Sequence, residues 1–469
     1  MGPRVPQPAG FAAWPHEASA KRRGKALRER LPRRVYGSAA HWTWRRRDGG
    51  PGAAVAAVRV SNAGRIPELI PLRVGRMAAG PFAFLRGSAG LMAADLSAAP
   101  VTGIGAQICG DAHAGNFGLY ADARGGLIMD INDFDETVHG PWEWDVQRLA
   151  TSLVLAGREA GAAEDVCRAA AYDAVGAYRR TMRLLARLPV LEAWNAVADE
   201  ELVTHADARD LLGTLDEVSA KARRNTSARF AARSTVAVEG GGRRFAEALP
   251  VLRRVGDAEA AAVAGALDGY LGTVGEDRLP LLARYSVHDV AFRVVGTGSV
   301  GTRSYVVLLL DHRGEPLILQ IKEARPSALL PHLGRAGFHV EHCDHEGRRI
   351  VQGQLRMQVV SDFLLGWTEV EGVPHQVRQF RNRKGSVDPA VLPPGLLDDY
   401  ARMTGALLAR AHAHSADPRL LAGYCGKNDE LDTALAAFAV AYADRTEADH
   451  AELVAEIRAG RIAADPAAG

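Results

Sequence analysis

Two short segments concentrate the residues that could do chemistry. Residues 110–118 read G-D-A-H-A-G-N-F-G, and residues 131–137 read I-N-D-F-D-E-T. Between them they offer Asp111, Asn116, Asp133 and Asp135, set among glycines and short apolar runs. Carboxylates and amides at this density serve one of two ends. They build a polar turn, or they hold a divalent metal and a group in transfer, where neutralising charge is most of the work. A third segment, G-T-G-S-V-G at 296–301, offers Gly296, Gly298, Ser299 and Gly301 as a cover for phosphates. Lys322 closes the apolar run L-I-L-Q-I-K, and an ammonium in that position must find a partner.

These residues need elements to position them. Short strands are expected at 104–109 and 126–131, which places both acidic segments at the ends of adjacent strands. Residues 82–96 have apolar positions at helical spacing, and 142–157 carry an apolar stripe. Ala-rich helices are expected at about 162–190, 196–222 and 257–275. From 288 the texture becomes β-type, with runs at 289–295, 304–310 and 317–322. A helix over 345–358, strands at 359–367 and 375–380, and helices from 392 onward complete the pattern. The class is α+β, with a small antiparallel sheet lobe and a large α-rich lobe. The expected divisions are a basic arm over 1–64, an α-rich part over 65–287, the sheet over 288–385, and closing helices over 386–469. The basic runs at 21–34 and 45–47 read as an exposed helix face or solvated arm, with a clamp on an anion as the functional alternative.

Bulk properties exclude several classes. Net charge is +2 and the pI is near 8.4, so no global field points to nucleic acid or to an anionic membrane. No apolar run is long enough to span a bilayer, and the first residues carry no secretory signal. Cys109, Cys167, Cys343 and Cys425 form no C-x-x-C pair, which argues against a zinc ribbon and a disulfide framework and fits a reducing cytoplasm.

Context decides what the glycines do. In a dinucleotide-binding fold they would open a helix. Here T-R-S-Y-V-V-L-L-L follows, so they lie in a strand–turn–strand that resembles the loop over the ATP phosphates in protein kinases. A hairpin turn needing positive φ is the plain alternative. Kinases hold phosphates with a lysine of the third strand, braced by a glutamate from the next helix. Glu346 is the candidate for that glutamate, with Glu323 and Glu341 as rivals. Asp111 and Asn116 have the D-x-x-x-x-N spacing of the kinase catalytic loop, and Asp133-Phe134 stands where the D-F-G aspartate would be. The third position is Asp135 instead of glycine, as in small-molecule kinases. The resemblance implies Asp111 as base, Asn116, Asp133 and Asp135 as metal ligands, and Lys322 as phosphate anchor. G-D-x-H-x-x-N is similar to the loop of aminoglycoside-phosphotransferase-like kinases. That similarity implies a packing role for His113 and a bracing role for Asp145. Arg86 is a further candidate for phosphate or substrate contact.

The order departs from that of kinases, because the catalytic-loop segment precedes the glycine loop. The likeness therefore implies a circular permutation, with 399–417 matching the helix that would run into the catalytic loop. The segments P-F-A-F-L-R-G, G-D-A-H-A-G-N-F-G, N-D-F-D-E-T, G-P-W-E-W-D-V-Q-R-L-A-T-S, V-V-G-T-G-S-V-G-T-R and L-Q-I-K-E-A together resemble the bacterial family of domain of unknown function 2252, from about 65 to 460. The activity implied is an ATP- and Mg²⁺-dependent phosphotransferase acting on a small-molecule hydroxyl. The helical region at 160–285 is expected to build the acceptor site, and 377–382 to pass the base of the nucleotide. A protein kinase, an AMP-transferring enzyme of the same fold and a nucleotide-binding pseudokinase regulator are the alternatives.

Overall fold

The run Ser304–Leu310 is buried at every position. Its side chains divide between two cores, because successive residues of a strand face opposite ways. Tyr305, Val307 and Leu309 join Leu319 and Ile321 against Leu267 and Tyr270 of the helix Asp257–Leu271. Val306, Leu308 and Leu310 join Ile318 against Ala231 of the helix Ser227–Ser234. Covered on both faces, the strand has no need of polar alternation, and its sequence shows none.

The computed structural model describes residues 17–42, 44, 52–122, 124–195, 208–239, 242–294, 296–340 and 342–465. Its strands are β1 Gly105–Ile108, β2 Phe117–Ala121, β3 Leu127–Ile131, β4 Val138–Pro141, β5 Thr235–Ala237, β6 Arg243–Phe245, β7 Leu252–Arg254, β8 Ser286–Arg293, β9 Ser304–Leu310, β10 Pro316–Glu323, β11 Gly366–Val370, β12 Val373–Gln379 and β13 Gly385–Ser386. The largest sheet has the order β11-β12-β10-β9-β8-β7 and is antiparallel throughout. The helix Glu346–Met357 is inserted between β10 and β11. The expected strand at 359–367 is largely a loop. The Asp362 carboxylate accepts from the Leu364 and Gln379 amides, at 2.9 and 2.7 Å, and takes the place of strand pairing.

The helical part is built from Trp142–Glu159, Glu164–Leu185, Leu397–Ala413 and Glu430–Arg458, whose buried faces share one core. The result is α+β, with small antiparallel sheets beside a larger helical part. The expected helix over 82–96 is two helices, Pro81–Arg86 and Ala89–Leu96. At the break the Ser88 hydroxyl donates to the Phe84 and Leu85 carbonyls, competing with the helical bonds. The acidic segments do not follow adjacent strands. β1 pairs with β4, and β3 pairs with β2.

The basic run at 21–34 forms the helix Glu17–Arg30 and the turn after it. Lys21, Arg22, Arg23 and Lys25 are exposed, as a solvated face should be. Arg28 and Arg33 instead donate to the carbonyls of Tyr424 and Cys425, at 2.8 and 2.6 Å. They neutralise the C-terminal end of the helix Pro418–Cys425. Residues 45–47 lie outside the described residues. Among the described residues no helix is long and apolar enough to cross a membrane, and all four cysteines are free.

Candidate functional site

One face of the helix Trp142–Glu159 holds the first acidic segment in place. Asp145, Arg148 and Ser152 recur at helical spacing and point the same way. The Asp145 carboxylate accepts from the amides of Cys109 and Gly110, at 2.7 and 2.9 Å, and meets His412 Nε2 at 3.2 Å. Tyr178 backs His412 at 3.0 Å. Ser152 accepts from the Ala114 amide at 2.8 Å. Gly110 turns the chain out of β1 with φ of 78°, and a Cβ there would lie 2.3 Å from the Glu136 carbonyl oxygen. Glycine is required for both reasons.

Asp145 braces the loop and is fully buried. Replacing it with alanine strands two buried amides, at about 1–3 kcal/mol each. Asp145→Ala is therefore expected to lower stability to urea by about 3 kcal/mol or more. Asp145→Asn, which keeps an acceptor oxygen, should lose less. Equal midpoints for Asp145→Ala and the parent would remove the brace.

Asp111 sits at the head of the loop beside Arg148, whose Nε donates to it at 2.6 Å. Burial raises the Asp111 carboxyl to about 7; Arg148 opposes the rise, and Glu136 and Asp133 add to it. His113 packs edge-on against Phe82 at 6.1 Å, with its Nε2 3.8 Å from Asp111. Burial holds its imidazole well below the usual value, aided by Arg86 and Arg148, so it is neutral. Asn116 is buried, and its amide nitrogen donates to the carbonyls of Asp111 and Asp133, at 3.2 and 3.0 Å. It clips the two acidic segments together and leaves only its Oδ1 for a metal.

The sheet meets these loops through one face of β10. Leu319 and Ile321 turn to the core, so Gln320 and Lys322 turn the other way. The register sets Lys322 between Ser304 of β9 and Gln376 of β12. Lys322 Nζ bonds to Asp135 Oδ2 and lies 3.9 Å from Asp133 Oδ1. Gln376 donates to Asp135 Oδ1 at 3.0 Å. Ser299, from the glycine loop, donates to Asp135 Oδ2 at 3.0 Å. Burial alone would raise the Asp135 carboxyl; Lys322 outweighs it, with Arg378 and Ser299, and holds it below the usual range. Gly298 and Ser299 line the same cleft, while Gly296 stands clear of neighbours. Gly301 takes φ of 86°, and its carbonyl accepts from the Ile66 amide at 2.8 Å. The glycines lie in the connection between the paired strands β8 and β9, and Ser299 carries it to the second acidic segment.

Glu346 is not the partner of Lys322. It pairs with Arg349 at 2.5 Å. Arg349 then donates to the carbonyls of Asp135, Thr137 and Arg325, at 2.9, 2.6 and 2.8 Å. Glu323 pairs with Arg303 at 3.2 Å, and Glu341 lies outside the described residues. The carboxylate that Lys322 requires comes from the second acidic segment, as Asp135. The two oxygens of Asp135, expected as a metal ligand, are taken here by Lys322, Ser299 and Gln376.

Asp133 is the open carboxylate of the two acidic segments. Its side chain is about half exposed (49%), and its nearest cation is Lys322 at 3.9 Å. With Asn116 Oδ1 it offers the one or two protein oxygens that Mg²⁺ needs when phosphates and water supply the rest. Among the described residues no group of three His, Cys, Asp or Glu forms a metal cage.

A cavity of about 440 Å³ opens beside Asp111, Asp133, Asp135 and Ser299. Glu136, Gly298 and Thr302 also line it, and its remaining walls come from residues 57–94 and 323–332. No described residue of 160–285, the region expected to build an acceptor site, lines it. Arg86 does line it, with its guanidinium over the Phe82 ring at 5.8 Å.

The sequence profile of the family described as "Uncharacterized protein conserved in bacteria (DUF2252)" matches residues 65–456. The chain belongs to this family. No curated protein and no solved structure matches it. The DUF2252 span contains both acidic segments, the glycine hairpin and Lys322, and excludes the helix Glu17–Arg30.

Four side chains of this DUF2252 site escaped sequence reasoning. Arg148 had a signal, because a charged residue three positions after Asp145 interrupts an apolar helix face. Gln376 and Arg349 gave none, since their partners lie in distant segments. Lys384 lies in the loop after β12. Burial lowers its ammonium to about 7, helped by Arg378 and opposed by Asp362 and Asp133.

Proposed function

We propose that this DUF2252 protein is an ATP- and Mg²⁺-dependent phosphotransferase that acts on a hydroxyl of a small molecule. Its core would be kinase-like, with the order of segments circularly permuted. One observation carries the reading. Asp135 is reached at once by Lys322 and by Ser299, from 187 and 164 residues away in sequence. A phosphate-anchoring lysine, a glycine loop and paired acidic segments meet in space although their order in the chain is not that of kinases. A polar turn would have no use for a lysine from a separate sheet.

Asp111 would take the proton of the acceptor hydroxyl as its oxygen bonds to the γ-phosphorus, and ADP would leave with the electron pair of the broken P–O bond. Lys322 would exchange Asp135 for the phosphates, as an anchoring ammonium does. Mg²⁺ on Asp133 and Asn116 would supply charge neutralisation around the phosphates. Ser299 and the backbone near it would cover the triphosphate.

The pH dependence follows from Asp111. A base must be ionised, so kcat/KM is expected to rise with pH through about 7, the value of Asp111 in the free protein. Stability runs the other way. The folded value lies above the unfolded one of about 4, so this contribution is full below that and is lost as pH rises through the folded value. A profile flat between pH 5 and 9 in the wild type would remove Asp111 as the base.

The test of the function is product analysis with Mg·ATP and cell extract. ADP and a phosphorylated small molecule should form with the wild type only. An AMP-labelled product would shift the chemistry to AMP transfer.

A further inference from the structure

The cavity beside Asp111 carries more positive charge than its own carboxylates use. Arg65, Arg73, Arg86 and Arg325 line it. None of the four meets a carboxylate among the described residues. Arg65 donates to the carbonyls of Ser61 and Val300, at 2.9 and 2.6 Å. Arg325 donates to the Ala63 carbonyl. Arg73 is buried, and donates to Asn62 Oδ1 at 2.7 Å and to the Gly87 carbonyl at 2.9 Å. The Nε atoms of Arg73 and Arg86 are buried without a partner.

Three of the cavity's five carboxylates are held in close ion pairs. Asp111 pairs with Arg148, Asp135 with Lys322, and Glu323 with Arg303. Those three cations do not line the cavity. Glu136 accepts from the Ala328 amide at 2.6 Å. Asp133 reaches a cation only through Lys322, at 3.9 Å, and Glu136 forms no ion pair among the described residues. The walls therefore present four guanidinium groups against two carboxylates without a close cation of their own, an excess of positive charge. Burial lowers Arg65 to about 10, with Arg325 adding repulsion, and lowers Arg73 to about 9. Both stay cationic at neutral pH, and a bound anion would relieve both costs.

We infer that this cavity is the acceptor site, and that the acceptor is a small hydroxyl compound bearing its own phosphate or carboxylate group. Arg86 and Arg325 bind that anion, Arg65 and Arg73 support it, and Asp111 faces the hydroxyl. Guanidinium groups suit this task because their planar forks match both oxyanions. A volume of about 440 Å³ suits a small molecule and not a folded protein segment. The inference rests on the phosphotransferase reading for the word acceptor. The anion site itself does not.

The nucleotide's own phosphates are the rival source of negative charge, and the experiment separates them. Full-length protein in a phosphate-free buffer is titrated calorimetrically with inorganic phosphate, and separately with Mg·ATP. Phosphate is expected to bind the wild type, and to lose at least about tenfold in affinity in Arg86→Ala and in Arg325→Ala. Mg·ATP affinity should hold in both. Lys322→Ala should show the reverse pattern. Arg86→Lys, which keeps the charge, should retain part of the phosphate affinity and controls for folding. Phosphate binding that is absent, or indifferent to Arg86 and Arg325, overturns the inference. So does equal loss of phosphate and Mg·ATP, since the guanidinium groups would then hold the triphosphate. Arginine-dependent phosphate binding with no Mg·ATP binding at all would support the anion site and remove the phosphotransferase reading.

Discussion

Asp111→Asn is expected to lower kcat/KM for transfer by about 10²–10⁴-fold, the usual worth of a positioned general base. The amide keeps an oxygen for Arg148 but cannot take the hydroxyl proton. Nucleotide binding should survive, because Lys322, Ser299 and Asp133 are untouched. The loss should therefore appear in kcat and leave Mg·ATP affinity near that of the wild type. The limb near pH 7 should vanish from whatever activity remains. A variant that transfers phosphate at the parent rate would show that Asp111 serves only as an anchor for Arg148.

Lys322→Ala should have two consequences of different origin. It leaves Asp135 with Ser299 and Gln376 as donors but no cation. Removing one partner of a buried pair costs about 3 kcal/mol, chiefly through the charge left behind. Lys322 is almost fully buried and Asp135 about a quarter exposed, so solvent softens the effect only in part. The same change removes the phosphate anchor and should abolish Mg·ATP-dependent activity. The double variant Lys322→Met with Asp135→Asn separates the two. It should recover most of the stability, since no orphaned charge remains, and none of the activity. Acid behaviour offers a second check. The folded carboxyl of Asp135 lies below its unfolded value of about 4, so its contribution is present above that pH and is lost as pH falls through the folded value. The single variant should lose this acid-side slope. Unchanged melting of Lys322→Ala would mean that the pair contributes nothing.

The strands that show plainly in the sequence are those covered on both faces, as in S-Y-V-V-L-L-L, because burial leaves an unbroken apolar run. The strands β5 to β7 do not show. Each has three residues, and long-range pairing rather than local pattern defines it. The site divides in the same way. Asp111, Asn116 and Asp133 can be grouped from the sequence because their spacing is local to a single loop or to neighbouring ones. The partner of Lys322 was misassigned to Glu346, because only the three-dimensional path of residues 131–137 beneath β10 decides between carboxylates. Arg349 shows the cost of that error. A guanidinium that gathers three carbonyls from two segments has no sequence signature at all. The helical region 160–285, expected from its size to build an acceptor site, does not reach the cavity, which lies between segments at 57–94 and 323–332, and of the four arginines that line it only Arg86 belongs to a segment legible in the sequence.

If Lys322 and the two acidic segments form a nucleotide site, thermal melting with Mg·ATP reads it out. Wild-type protein should be stabilised by millimolar Mg·ATP, by about 2.7 kcal/mol if the nucleotide is present at a hundred times its Kd. Lys322→Met with Asp135→Asn should fold and show no such gain. Indifference of the wild type to millimolar Mg·ATP, or equal stabilisation of the double variant, would contradict a nucleotide site there and leave the clustered carboxylates as a structural feature of the loops.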